Sequence, residues 1–176
     1  GYGIYIIEEM DWKSRGNYSE IVDCVISRMQ LEHLKKRVEE IFTEVDKELI
    51  FRSMKHRNDF YSLLMGRRAN ILQTASGYAA AVFLLSADEE LWDIVRRNVL
   101  DTGIYFERIR LGSVTLEQYI LFHAARDVYQ GTKHIRLSEL TDRELISDEI
   151  LKLIVNAFVI EKCGVEMIKQ EVWNAY

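Results

Sequence analysis

His123 and Asp127 are the pair in this chain best spaced for acid–base chemistry. Four residues apart on a helix, they share one face, and a carboxylate there can orient an imidazole for proton transfer. Arg126 and Tyr129 stand close by as further polar groups. The immediate neighbours, however, are Leu121, Phe122, Ala124 and Ala125. A histidine in such company is expected to serve a packed helix surface and a local hydrogen bond rather than a reaction. Of the other histidines, His33 sits beside Glu32 on a helix surface, His56 belongs to a charged stretch, and His134 falls in the loop Gly131-Thr-Lys-His134.

Other chemistries find less support. Glu39-Glu40 and Glu89-Glu90 are adjacent, so their side chains leave a helix on different faces and read as surface charge. Cys24 and Cys163 are far apart in sequence, each within a helical pattern, and are expected to be packed, reduced thiols. No phosphate-cradling glycine loop, G-x-S-x-G elbow, C-x-x-C or H-E-x-x-H occurs. His56-Arg57-Asn58-Asp59 lacks every other element of a kinase. No catalytic residue, cofactor or metal is therefore expected.

The sharpest charge feature is basic. Arg52, Lys55, His56 and Arg57, then Arg67 and Arg68, surround the aromatic residues Phe51, Phe60 and Tyr61. A nucleic-acid groove uses this mixture of phosphate contacts and stacking faces. The competing expectation is a helical corner whose cations pair with acids from elsewhere in the fold. The overall charge favours the second, because Asp and Glu (28) outnumber Lys and Arg (23), for a net charge of −5.

Helices must position all of these groups. Proline is absent, and no glycine interrupts the span from Asn17 to Met65, so long helices are expected. Ile71–Leu100 organises the pattern. Its first part, to Leu85, is apolar and small almost all round and predicts a buried central helix. Ser86 with Glu89 reads as a capping box opening a second, amphipathic helix. Upstream, Asn17 and Glu20 open a helix whose face is Tyr18, Ile21, Val22, Cys24, Val25, Ile26 and Met29. Leu31, Leu34, Val38, Ile41, Phe42, Val45 and Leu49 then trace a coiled-coil-like seam, on a helix expected to run to about Met54. Lys55–Asp59 breaks the pattern, and Asn58 or Asp59 is expected to cap a short helix over 60–65.

Further on, 104–111 fits a strand or a short helix. Thr115 caps a helix over 116–129 that Gly131 ends. Thr141 with Glu144 suggests a one-turn capping box. Ser147 caps a helix over 148–162, and a terminal helix is expected over 165–173. Tyr2–Ile7 is the one good strand candidate.

The fold class that follows is all-α: a bundle of six to eight helices around the central apolar helix, with one short N-terminal strand at most. A chain of 176 residues is expected to form one continuous domain, or at most a domain with an N-terminal extension; in the second case the boundary is Lys55–Asp59, dividing a strand or arm and long amphipathic helices (1–54) from a compact helical domain (59–176). A hydrophobic content of 48% supports a proper core. No stretch approaches the roughly 18 to 20 apolar residues of a membrane span. The start lacks the basic segment of a signal peptide, so a cytoplasmic protein is expected. The initial Gly1 reads as a tag remnant or a truncated start.

Phe83-Leu-Leu-Ser-Ala-Asp88, Gly103-Ile-Tyr-Phe106, Ala124-Ala-Arg-Asp-Val-Tyr-Gln-Gly131 and Glu139-Leu-Thr-Asp-Arg-Glu-Leu-Ile146 carry a resemblance. Over residues 70 to 165 the chain resembles uncharacterised helical proteins encoded on prophages and conjugative elements of Gram-positive bacteria. That resemblance implies a mobile-element accessory protein and transfers no catalytic residue.

The resulting expectation is a non-enzymatic protein-binding module, a homodimer, that regulates or inhibits a host or defence complex. Its contact surface would be the seam Leu31, Leu34, Val38, Phe42 and Val45. The alternative is a nucleic-acid binder using Arg52, Lys55, Arg57, Arg67 and Arg68.

Overall fold

The computed structural model describes residues 18–43, 50–64 and 76–165. The architecture is all-α. Among the described residues it comprises α1 (Tyr18–Ser27), α2 (Glu32–Thr43), α3 (Met54–Leu64), α4 (Ser76–Leu85), α5 (Glu89–Val95), α6 (Leu116–Gln130), α7 (Leu137–Leu140) and α8 (Asp148–Cys163). A two-stranded hairpin, β1 (Val99–Leu100) and β2 (Gly103–Ile104), sits between α5 and α6. The expected strand at Tyr2–Ile7, the cap Asn17, the start of the central helix at 71–75 and the terminal helix beyond Val165 lie outside the described residues.

The central helix is where the sequence puts it. Every residue from Tyr78 to Leu85 is buried, and α6 and α8 both pack against α4 and touch each other. Gly77, Ala79, Ala80 and Ala81 keep its profile thin. A methyl group on Gly77 would stand 3.5 Å from the Val128 carbonyl oxygen, so α6 lies close against it. Phe83, Leu84 and Leu85 supply the bulk, and burying each contributes about 2 kcal/mol. One continuous hydrophobic cluster joins Tyr18 at one end to Val165 at the other.

Several helix ends match their local signals. Thr115 accepts from the Gln118 backbone N–H at 3.2 Å while Gln118 Oε1 accepts from the Thr115 N–H at 2.9 Å, a complete capping box. Gly131 (φ 70°) closes α6 in the left-handed region. Ser147 caps α8.

Other ends differ from expectation. The cap of α5 is Asp88, whose Oδ1 accepts from Leu91 N–H at 2.8 Å. Ser86 instead donates its hydroxyl to the Val82 carbonyl and stays with α4, so α5 begins two residues late. Thr141 ends α7 rather than opening a turn; Asp142 Oδ1 takes the backbone N–H groups of Glu144 and Leu145 in its place. The ambiguous 104–111 stretch contains the end of β2 and one 3-10 turn at Phe106–Arg108.

Two further differences bear on function. Lys55–Asp59 lies inside α3, which begins at Met54 with Ser53 Oγ accepting from His56 N–H. The charged run is therefore helical, where the sequence pattern suggests a break and a short helix over 60–65. The seam helix α2 ends at Thr43, and residues 50–53 are not helical, so no single helix reaches Met54.

Candidate interaction surface

The side chains singled out by sequence fall into three places. The seam faces inward. Leu34, Val38 and Phe42 are buried in the core of the chain itself, because α2 lies against α1 and α8. Of that set Leu31 is 40% exposed, and Val45 lies outside the described residues. The contact surface expected of this seam is thus an intramolecular one. Between it and α8 remains an apolar cavity of about 20 Å³ lined by Val25, Leu34, Val38, Ile154 and Phe158, a volume on the scale of a single water and too small for an organic ligand.

The seam helix is also pinned by charge. Arg37 is only 3% exposed. Its guanidinium donates to the Leu140 carbonyl at 2.6 Å, to the Ile146 carbonyl, and to Asp148 Oδ1 at 3.2 Å. A planar fork with several donors satisfies three acceptors that an ammonium could not span. It ties α2 to the loop between α7 and α8.

In the described part of the basic corner, Arg52 and Lys55 are paired with acids of the same chain. Arg52 Nε donates to Glu149 Oε1 at 2.9 Å and its NH2 group to Glu117 Oε2 at 3.3 Å. Burial works against its charge, and the two carboxylates more than offset this, so its pKa rises. Lys55 holds Asp59 one turn on at 2.8 Å. Arg57 stands over the Tyr61 ring at 5.7 Å. Arg67 and Arg68 lie outside the described residues. His56 points into the core, its Nδ1 accepting from Arg52 N–H at 3.0 Å and its Nε2 2.7 Å from the Phe83 carbonyl. One neutral tautomer satisfies both contacts, and burial pushes its pKa down to about 4.

The third place is the outer face of α6. The His123–Asp127 pairing that the four-residue spacing allows is not formed. Asp127 has no exposed surface and turns to the following loop. There its oxygens accept from Thr132 Oγ1 at 2.7 Å, His134 N–H at 2.9 Å and Ile135 N–H at 3.0 Å. It also meets the ring of His134, with Nδ1 at 2.7 Å. Asp127 is thus the post around which loop 131–135 folds, and it fixes the His134 ring orientation. An aspartate and imidazole so arranged can exchange a proton. Its hydroxyl neighbour, Thr132, already donates to the same carboxylate, which makes the group an anchor rather than an activated nucleophile.

His123 instead joins a row of rings. Tyr119 lies 4.2 Å from it and His134 4.9 Å, centroid to centroid. Its Nδ1 is buried and meets no hydrogen-bond partner. Burial, with the neighbouring His134 adding to it, lowers the His123 pKa. Before this row on the same face comes Leu116. Leu116 is 51% and Tyr119 50% exposed, on a helix whose opposite face, Leu121, Ala124 and Ala125, is wholly buried. Sequence reasoning passed over Leu116 and Tyr119. The available signal was their phase: at i, i+3 and i+7 with His123, they fall outside the buried stripe of α6.

Among the described residues, no helix is long and apolar enough to cross a membrane, and no group of three His, Cys, Asp or Glu side chains is placed to hold a metal ion. Cys24 and Cys163 are thiols, and burial pushes the Cys163 pKa up to about 12. No protein-family model, curated protein or solved structure matches this chain.

Proposed function

We propose that this chain works by binding another protein through the outer face of α6, without catalysing a reaction. The observation that carries the reading is the row Leu116, Tyr119, His123, half-exposed at its first two members on a helix held rigid by the core. Aromatic residues on a fixed scaffold make good anchors, since they present large area and lose little freedom on binding. The seam of α2 is already covered, so the partner surface moves from α2 to α6. The paired state of Arg52 and Lys55 weakens the nucleic-acid alternative. A cytoplasmic setting and a host or defence complex as partner would go with the mobile-element resemblance.

The test is a contrast in capture from lysate. Tagged wild-type chain is compared with Tyr119→Ala and with Lys36→Ala, the latter an exposed change on α2. The reading expects a protein retained by wild type and Lys36→Ala and lost by Tyr119→Ala. Equal retention by all three sinks it.

A further inference from the structure

We infer that the outer face of α6 is gated by a proton: in mild acid the His123 ring leaves its place beside Tyr119 and His134, and the partner is released. The inference rests on the protein-binding reading above and names the regulation of that same face.

The hydrogen-bonding of the ring carries it. His123 lies 4.2 Å from Tyr119 and 4.9 Å from His134, centroid to centroid, with Phe122 perpendicular to it at 5.2 Å. Its Nδ1 is buried and, among the described residues, meets no hydrogen-bond partner. In the neutral ring with its proton on Nε2, that atom is a bare lone pair and needs no donor to hold its place. An imidazolium carries an N–H on both nitrogens. The Nδ1 proton is then buried without an acceptor, a loss that rotation of the ring into water removes.

The charges around the ring act in the same direction. The groups that face it are Arg126 and Asp127 of its own helix and His134 of the loop 131–135. Burial is the largest cause holding its pKa down; His134 adds to it, as does Arg126, and Asp127 alone opposes them. That carboxylate is already engaged by the Thr132 hydroxyl, the N–H groups of His134 and Ile135, and His134 Nδ1. Arg126 in turn has Glu107 at 3.9 Å, from the turn at Phe106–Arg108. A proton on His134 therefore meets a carboxylate at 2.7 Å, whereas a proton on His123 meets a second imidazole.

Asp127 holds the loop through two backbone N–H groups, which do not titrate in this range. The loop stays when His123 leaves, and the change is confined to one ring on a fixed helix. A partner packed on Tyr119 then loses the His123 part of its contact.

The experiment follows the full chain by NMR from about pH 7.5 to about pH 5, reading nuclear Overhauser contacts between the Tyr119 and His123 rings. These contacts are expected near neutrality and lost in acid, while the amides of α4, His134 and Ile135 hold their positions. His56 stays neutral down to about 4, so α4 is a fair control. His134→Asn keeps a donor for Asp127 and removes the neighbouring imidazole, so the His123 transition should move to higher pH. Captured partner should fall about tenfold between the same two pH values, and its release should follow the ring to higher pH in His134→Asn. Rings that stay together in acid overturn the inference. So does equal capture at both pH values, or a release that His134→Asn does not move. In each of those cases the protein-binding reading stands. It falls only if Tyr119→Ala keeps the captured protein at about pH 7.5, and the ring movement is then judged on the chain alone.

Discussion

The ring of Tyr119 rests 4.2 Å from the imidazole of His123, one turn apart on the outer face of α6. Because Tyr119 is half-exposed, this stack adds little to folding, and the Tyr119 ring remains available to a partner. Tyr119→Ala should change the unfolding free energy by less than about 1 kcal/mol, measured by urea denaturation. A loss of several kcal/mol would mark the stack as core instead.

His56 gives the fold a pH dependence. The folded chain keeps it neutral down to about pH 4, while the unfolded chain binds the proton near 6.5. Between those values the unfolded state holds more protons. Stability is therefore fully present above about 6.5 and is lost as pH falls toward 4. The shift corresponds to on the order of 3 kcal/mol. The urea midpoint should drop between about pH 7.5 and about pH 5 in the wild type, and His56→Phe should flatten that drop. Equal slopes in the two proteins would contradict the assignment.

Arg37→Met removes a buried guanidinium and leaves the Leu140 and Ile146 carbonyls without it. The expected loss is about 3 kcal/mol. Arg37→Lys should recover only part, because an ammonium cannot span all three acceptors. Full recovery by lysine would show that charge alone is what the site needs.

Asp127→Asn tests the anchor of loop 131–135. The isosteric amide loses the charge facing His134 and places donors against donors. The amides of His134 and Ile135 should exchange with deuterium at least about tenfold faster, while those of α4 hold. Unchanged protection at both amides would remove Asp127 from that role.

Val38→Asp puts a carboxylate into the intramolecular core of α2. The expected result on light scattering and circular dichroism is an unfolded or aggregating chain. A folded monomer derived from a wild-type dimer would restore the seam as an intermolecular contact.

Local signals were the legible part of this chain. Thr115, Gly131 and Ser147 bound their helices because a cap depends on three or four neighbouring residues. The stretch to Leu85 reads as a central helix because it has no polar face to turn to water. What lies beyond local reach is direction and partnership. The periodicity of Leu34, Val38 and Phe42 gives a stripe but not the body it packs on, and α1 and α8, more than a hundred residues apart, cover it. Asp127 sits at the right spacing from His123, yet the backbone N–H groups of a loop that turns back after Gly131 claim it first. Arg37 looks like any surface cation in the sequence, and its burial depends on carbonyls more than a hundred residues away. The exposure of Leu116 and Tyr119 follows the same logic, since it depends on which neighbours fail to cover them.

The most direct test of the central claim places a photo-crosslinking residue at position 119 and, separately, at position 36, and irradiates each in cells. The account predicts one discrete protein adduct from position 119 and none from position 36. Adducts of equal yield from both, or from position 36 alone, would contradict it.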